Sequence, residues 1–131
     1  MKNNDETRSK RSYVTKMMLE LGVPAHLKGY HYIRTAVLMT SDDMEMVSSV
    51  TKLLYPDIAK QFKTTGQKVE RAIRNAIEVS WQRGNMDAME EMFGFSAATG
   101  KGRPTNSEYI ARLADEVQMH YSGDYPRKEY K

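Results

Sequence analysis

The 131-residue chain contains no cysteine. This absence excludes disulfides, thiolate metal sites and cysteine catalysis, and it fits a reducing compartment such as the cytoplasm. Uninterrupted apolar runs are short, and none approaches the roughly 18 residues that a membrane span needs. The polar residues 1–10 also lack the apolar segment of a secretory signal. We therefore expect a cytoplasmic protein with no membrane partner.

Residue clusters that support catalysis are also missing. His26, His31 and His120 do not have the spacing of a metal-binding triad. We find no Ser-His-Asp order, no glycine-rich phosphate loop and no pair of carboxylates that reads as buried. Asp42 and Asp43 are better interpreted as the start of a helix, where negative charge is favourable. We therefore expect neither enzymatic activity nor a bound cofactor.

Hydrophobic residues recur at helical spacing along most of the chain, and no segment alternates like a strand. This pattern predicts an all-α domain of about six helices over residues 11–121. Residues 1–10 are predicted to be a flexible linker or tail, and residues 122–131 a disordered tail. The predicted helices cover about 9–21, 27–39, 67–82 and 86–93, with others in the apolar runs 44–50 and 53–62. The last begins at Thr105, which has capping-box spacing with Glu108. Residues 94–104 are predicted to be a loop.

The net charge is only +3, but its distribution is uneven. Residues 60–74 contain five basic residues and one acid, whereas residues 85–99 contain three acids (Asp87, Glu90 and Glu91) and no base. This uneven distribution of charge indicates one anion-binding side of the protein and a second side with a different role.

A helix-turn-helix is predicted between Tyr55 and Arg83. A short helix is followed by the polar connection 63–66 and by a longer helix, whose first turns would lie in the major groove. At about 100° per residue, Gln67, Arg71, Arg74 and Glu78 fall on one line of that helix. Their types suit base edges, since Arg pairs with guanine, Asn or Gln with adenine, and Glu with cytosine. The candidate base-contacting residues are Gln67, Lys68, Glu70, Arg71, Arg74 and Asn75.

Phosphate contacts are predicted around the start of the same helix. Thr64 and Thr65 lie where backbone N–H groups can hold a phosphate. Further candidates are Lys60, Lys63, Lys101 and Arg103. The alternative interpretation is a charged helix face that is merely solvated, and the pattern alone does not decide between the two.

Four motifs, in the same order along the chain, resemble one known family. They are LELGVPAHLKGY (19–30), LYPDIAK (54–60), VERAIR (69–74) and KGRPTNSE (101–108). The resemblance is to the effector domain of stage zero sporulation protein A, the response regulator that starts endospore formation, and it covers roughly Thr15 to Val117. It implies a six-helix effector domain that binds a sporulation box in double-stranded DNA at the nucleoid and activates some genes while repressing others.

The resemblance also implies roles for particular residues. Glu70, Arg71 and Arg74 match base-contacting positions, and Gln67, Lys68 and Asn75 replace the Ser, Arg and His that are commonest there. The family's surface for the RNA polymerase sigma factor maps to Gly84, Ala88, Phe93 and Ala97. Homodimers on tandem DNA sites are implied as well, with the last helix around Ala114 as a possible contact.

The family's receiver domain, with its phosphoacceptor aspartate and divalent metal, has no counterpart in these residues. The chain is therefore expected to be either a fragment that begins in an interdomain linker or a free-standing effector. The substitutions at Gln67, Lys68 and Asn75 leave a rival hypothesis open. In it, the chain is a helical protein-interaction module that has lost specific DNA binding.

Overall fold

The computed structural model describes residues 2–94 and 103–122, with side chains from residue 5 onward. Within these residues the chain forms six α-helices and no strand, which confirms the all-α prediction. The helices are α1 (Lys2–Glu20), α2 (Lys28–Asp42), α3 (Tyr55–Phe62), α4 (Gly66–Arg83), α5 (Met86–Phe93) and α6 (Asn106–Tyr121). None of these described helices has both the length and the apolar composition to cross a bilayer.

The hydrophobic core is built around α2, which packs most extensively against α4 and α6. The periodic apolar residues of each helix are the ones that become buried, because a stripe at 3.6-residue spacing faces one side. The fully buried side chains include Val14, Met18, Ile33, Ile73, Ile77, Ile110 and Leu113. The apolar residues that recur at helical spacing in the sequence are therefore the ones that form the core of these helices.

The N-terminal segment differs from the prediction. Residues 2–10 are not a flexible tail but the first half of α1. Lys10 forms an ion pair with Asp42 at the end of α2 (3.5 Å), and Ser9 Oγ lies 2.5 Å from the Tyr121 hydroxyl on α6. Tyr13 stacks on His120, with 4.1 Å between ring centroids. These contacts come from distant parts of the chain and hold a segment that has no apolar stripe of its own.

The segment between α2 and α3 also differs from the prediction. Asp42 is the last residue of α2 and begins no helix. Asp43 caps a 3₁₀-helix (Met44–Ser49) by accepting a hydrogen bond from Glu45 N. A π-helical turn (Val50–Leu54) follows and leads directly into α3.

Two turns of the backbone touch near the end of α4. A methyl group added to Gly22 would lie 2.6 Å from Gly84 Cα, and one added to Gly84 would lie 2.4 Å from Leu21 O. Gly22 also has a φ of 78°, a conformation that favours glycine. The turn after α1 is therefore fixed against the turn that joins α4 to α5.

A buried hydroxyl pair strengthens the same contact. Ser80 Oγ donates a hydrogen bond to Leu21 O (2.7 Å), and it accepts one from the Tyr109 hydroxyl (3.2 Å). Burial raises the pKa of Tyr109 to about 12, although the bond to Ser80 opposes the shift. The hydroxyl therefore remains a donor throughout the neutral range.

The remaining predictions on connections are confirmed only in part. Asn85 caps α5 through hydrogen bonds from Asp87 N and Ala88 N, and Thr105 and Glu108 form the predicted capping box. The predicted loop and C-terminal tail lie mostly outside the described residues, since 95–102 and 123–131 are not described.

Candidate nucleic-acid interface

The helix-turn-helix is present with the predicted order of parts. Pro56 occupies the first turn of α3, where its missing N–H costs no hydrogen bond. Lys63 ends α3 in a left-handed conformation (φ 56°), and Thr64 N donates to Ala59 O (2.9 Å). The left-handed residue of the turn is thus a lysine, whereas the turn's glycine, Gly66, is already the first residue of α4.

The reading helix begins where its sequence predicts. Thr65 is the N-cap, and its hydroxyl accepts a hydrogen bond from Lys68 N (3.2 Å). The apolar positions of α4 pack inward, with Val69, Ile73 and Ala76 fully buried. The opposite side of the helix therefore faces outward, and its exposed residues include Gln67, Lys68, Arg71, Arg74 and Asn75.

The two arginines differ in their surroundings. Arg74 forms an ion pair with Glu70 on the same helix, and their side chains remain 47% and 40% exposed. Arg71 is exposed and makes no ion pair with any other described residue. Neither arginine is ion-paired with another helix of the described segments, so both can reach a ligand placed outside α4.

A polar contact joins α3, α4 and α6 behind this face. Asn106 Nδ2 donates to the Tyr55 hydroxyl (2.9 Å) and to Glu70 O (3.2 Å). Burial is the largest cause that raises the pKa of Tyr55, and the hydrogen bond from Asn106 opposes it. A cavity of about 450 Å³ beside Arg74 is lined by these residues and by Arg103, Pro104, Thr105 and Ser107.

The predicted phosphate-contacting residues surround the start of α4. Lys60 and Lys63 are exposed at the end of α3, Thr64 is half-buried, and Thr65 is occupied as the N-cap. Arg103 lies 3.4 Å from Glu78 of α4 and forms an ion pair with it. Arg103, shortly before α6, is therefore held against the reading helix, while Lys101 lies outside the described residues.

The α5 segment carries charge of the opposite sign. Asp87, Glu90 and Glu91 are exposed, and α5 contains no basic residue. Since a helix rises about 1.5 Å per residue, the 18 residues of α4 span about 27 Å. The acidic surface thus begins at the far end of the reading helix from its basic first turns.

The residues matched to the sigma-factor surface are mostly turned toward the protein. Gly84 is half-buried in the contact with Leu21, and Ala88 packs partly against the core. Phe93 stacks on Tyr109 with 5.0 Å between ring centroids. Ala97 lies outside the described residues. The exposed residues of α5 are instead its acids and Met86, whose side chain is 58% exposed.

Ala114 of α6, the helix that the resemblance implies as a dimer contact, is completely buried in the core. A contact through α6 would have to use that helix's outward side chains.

In residues 2–94 and 103–122, no three His, Asp or Glu side chains come together as a possible metal site.

The domain is all-α, and its helix-turn-helix exposes basic side chains along the second helix. This is the architecture of a DNA-binding transcription regulator. Residues 14–117 match the family model described as sporulation initiation factor Spo0A C terminal. The match covers most of the chain, and the chain therefore belongs to this family of DNA-binding sporulation regulators, which is not an enzyme family.

Sequence reasoning missed Asn106 and Tyr55 as members of the site. The capping-box spacing does place Asn106 at the first position of a helix. Its contact with Glu70, 36 positions away in the sequence, depends on how α6 packs and leaves no local signal.

Proposed function

We propose that the first half of α4 reads a short sporulation-type box in the major groove, and that the chain regulates transcription by occupying such boxes. The observation that supports this most strongly is the position of Arg71 and Arg74. They lie about one helical turn apart on the exposed side of α4. Among the described residues they form one ion pair, which joins Arg74 to Glu70 of the same helix. Either guanidinium can form a bidentate contact with guanine.

Fluorescence anisotropy with a box duplex and a scrambled duplex tests base reading. Arg71→Ala and Arg74→Ala should each lose about 1–3 kcal/mol on the box and much less on the scrambled sequence. Arg83→Ala is the matched control, since Arg83 is exposed in the last turn of the same helix. Equal affinity of wild type for both duplexes would instead support a protein-interaction module without specific DNA binding.

We also propose that Lys63 contacts a phosphate at the turn. Lys63→Ala should weaken binding to both duplexes alike and lower the slope of log K against log salt by about one. Because the backbone of Lys63 is in the left-handed conformation, Lys63→Gly removes the charge without a backbone penalty. This variant should show the same lowered salt slope as Lys63→Ala. Lys16→Ala, an exposed lysine of α1, is the control. An unchanged slope in both Lys63 variants would remove this contact from the proposal.

The acidic α5 surface is proposed to contact the RNA polymerase sigma factor, because charge complementarity would favour a basic partner surface. Glu90→Lys should reduce activation in transcription with purified polymerase while DNA affinity stays at the wild-type value. Glu45→Lys, an exposed acid of the 3₁₀-helix, is the matched control. Activation that survived Glu90→Lys would argue against this surface.

Homodimers on tandem boxes are also proposed. Duplexes with one box or two boxes distinguish paired from independent binding, because only paired binding makes the second occupancy more favourable than the first. Independent filling of the two boxes would contradict a dimer.

A further inference from the structure

Asn106 has an unusual set of contacts for a residue at the start of a helix. Its two amide hydrogens serve two different acceptors, the Tyr55 hydroxyl and Glu70 O. Capping of α6 is performed by its neighbour, because Thr105 accepts from Glu108 N and Glu108 accepts from Thr105 N. The Asn106 side chain is therefore not needed to cap its own helix.

The two acceptors belong to the two helices of the helix-turn-helix. Tyr55 is the first residue of α3 and is buried, and Glu70 lies in the second turn of α4. A carbonyl oxygen has two lone pairs, so Glu70 O can accept from Asn106 as well as from its own helix. One half-buried amide thus joins both helices from a third element.

The tethered residue is adjacent to the base-reading side chains. Glu70 is the ion-pair partner of Arg74 and immediately precedes Arg71. A bidentate contact with a base requires placement to within about 0.5 Å. A small rotation of α4 relative to α3 would therefore weaken base contacts more than phosphate contacts, which tolerate more geometries.

We propose that Asn106 is a positioning residue for DNA reading. By joining Tyr55 and Glu70, it fixes the orientation of α4 and thereby the positions of Arg71 and Arg74 in the groove. The inference rests on the proposed reading of DNA by α4, and in it Asn106 acts through the reading helix without touching a base.

The test measures the affinity of the full chain for the box duplex and the scrambled duplex. Asn106→Ala and Asn106→Asp both remove the donors, and each should lower the box-to-scrambled affinity ratio by about tenfold, within the range of one base contact. For Asn106→Ala, affinity for the scrambled duplex and the salt slope should stay at wild-type values, because no charge is added or removed.

Gln118→Ala is the matched control. Gln118 is another amide on α6, and its Nε2 donates to Ser41 O (3.1 Å) near the end of α2, outside the helix-turn-helix. The Gln118→Ala variant should be less stable than wild type, but its box-to-scrambled affinity ratio should be unchanged. If Asn106→Ala does not fold, Tyr55→Phe removes one acceptor and should lower the ratio by a smaller factor.

A double variant shows whether Asn106 acts through the arginines. In an Arg71→Ala, Arg74→Ala background, Asn106→Ala should have little further effect on the ratio, because the contacts that it positions are gone. Full additivity would overturn the proposal, as would an unchanged ratio in the single Asn106 variants. If the arginine variants themselves left the ratio unchanged, the proposed function would fail instead.

Discussion

Gly29 of α2 packs directly against the backbone of the reading helix, and its replacement by alanine tests the packing of the whole domain. A methyl group at this position would lie 2.1 Å from Ala72 O and 2.8 Å from Ala76 Cβ. Carbon contacts are favourable only from about 3.5 Å. The carbonyl is part of the backbone of α4, so the clash cannot be relieved by rotating a side chain.

The expected cost of Gly29→Ala follows from this geometry. Overpacking a core usually costs about 1–3 kcal/mol, and a clash with backbone belongs at the upper end. We therefore expect a loss of about 3 kcal/mol in the free energy of unfolding and a fall of about 10 °C in Tm. Because α4 would be displaced, selectivity for the box duplex should fall as well.

Gly66→Ala is the matched control. Gly66 is the first residue of α4, and the nearest atom to an added methyl group is Tyr55 Cβ at 3.7 Å, an ordinary contact. This change should stabilise the protein by about 0.5 kcal/mol, since alanine is the better helix former. Urea unfolding followed by circular dichroism measures both variants. A Gly29→Ala protein as stable as Gly66→Ala would refute the close approach of α2 and α4.

Three further changes test other parts of the fold by urea unfolding. Thr40 Oγ1 is buried without a hydrogen-bond partner among the described residues, so Thr40→Val should stabilise the protein by about 1 kcal/mol, and a loss would mean that the hydroxyl is satisfied. Thr105→Ala removes the capping box and should cost about 1 kcal/mol, whereas no change would show that the cap is dispensable. Tyr109 has a pKa of about 12 when folded and about 10 when unfolded, so the folded state holds the proton more tightly. The protonated Tyr109 hydroxyl therefore stabilises the folded state fully below pH 10. Up to about 3 kcal/mol of the free energy of unfolding is lost as the pH rises from 10 to 12. Tyr109→Phe should lose less stability over this range, and an equal loss would assign the effect to other groups.

The second half of the domain could be predicted closely from the sequence because its helix ends are marked by particular residues. Gly84 and Asn85 separate α4 from α5, and Thr105 with Glu108 begins α6. The apolar spacing of α4 also identified which side faces outward. Local chemistry determines these features, so no knowledge of the fold was needed.

The features that were missed depend on contacts between distant residues. The first half of α1 has no apolar stripe, and its contacts with Asp42 and Tyr121 form only after the chain has folded. Motif matching also assigned Phe93 and Gly84 to a partner surface, without indicating that both pack against their own domain.

The backbone contact between Gly22 and Gly84 has a geometric consequence for regulation. It ties the junction of α4 and α5 to the turn after α1, and under the proposed function a protein bound to α5 would be carried around the duplex together with the reading helix. B-form DNA completes a turn in about 10–10.5 base pairs, and moving a box by one base pair therefore rotates α5 about the duplex axis by about 34°. If the proposed contact with the polymerase is made, the spacing between a box and its promoter selects whether the acidic surface points toward the polymerase or away from it.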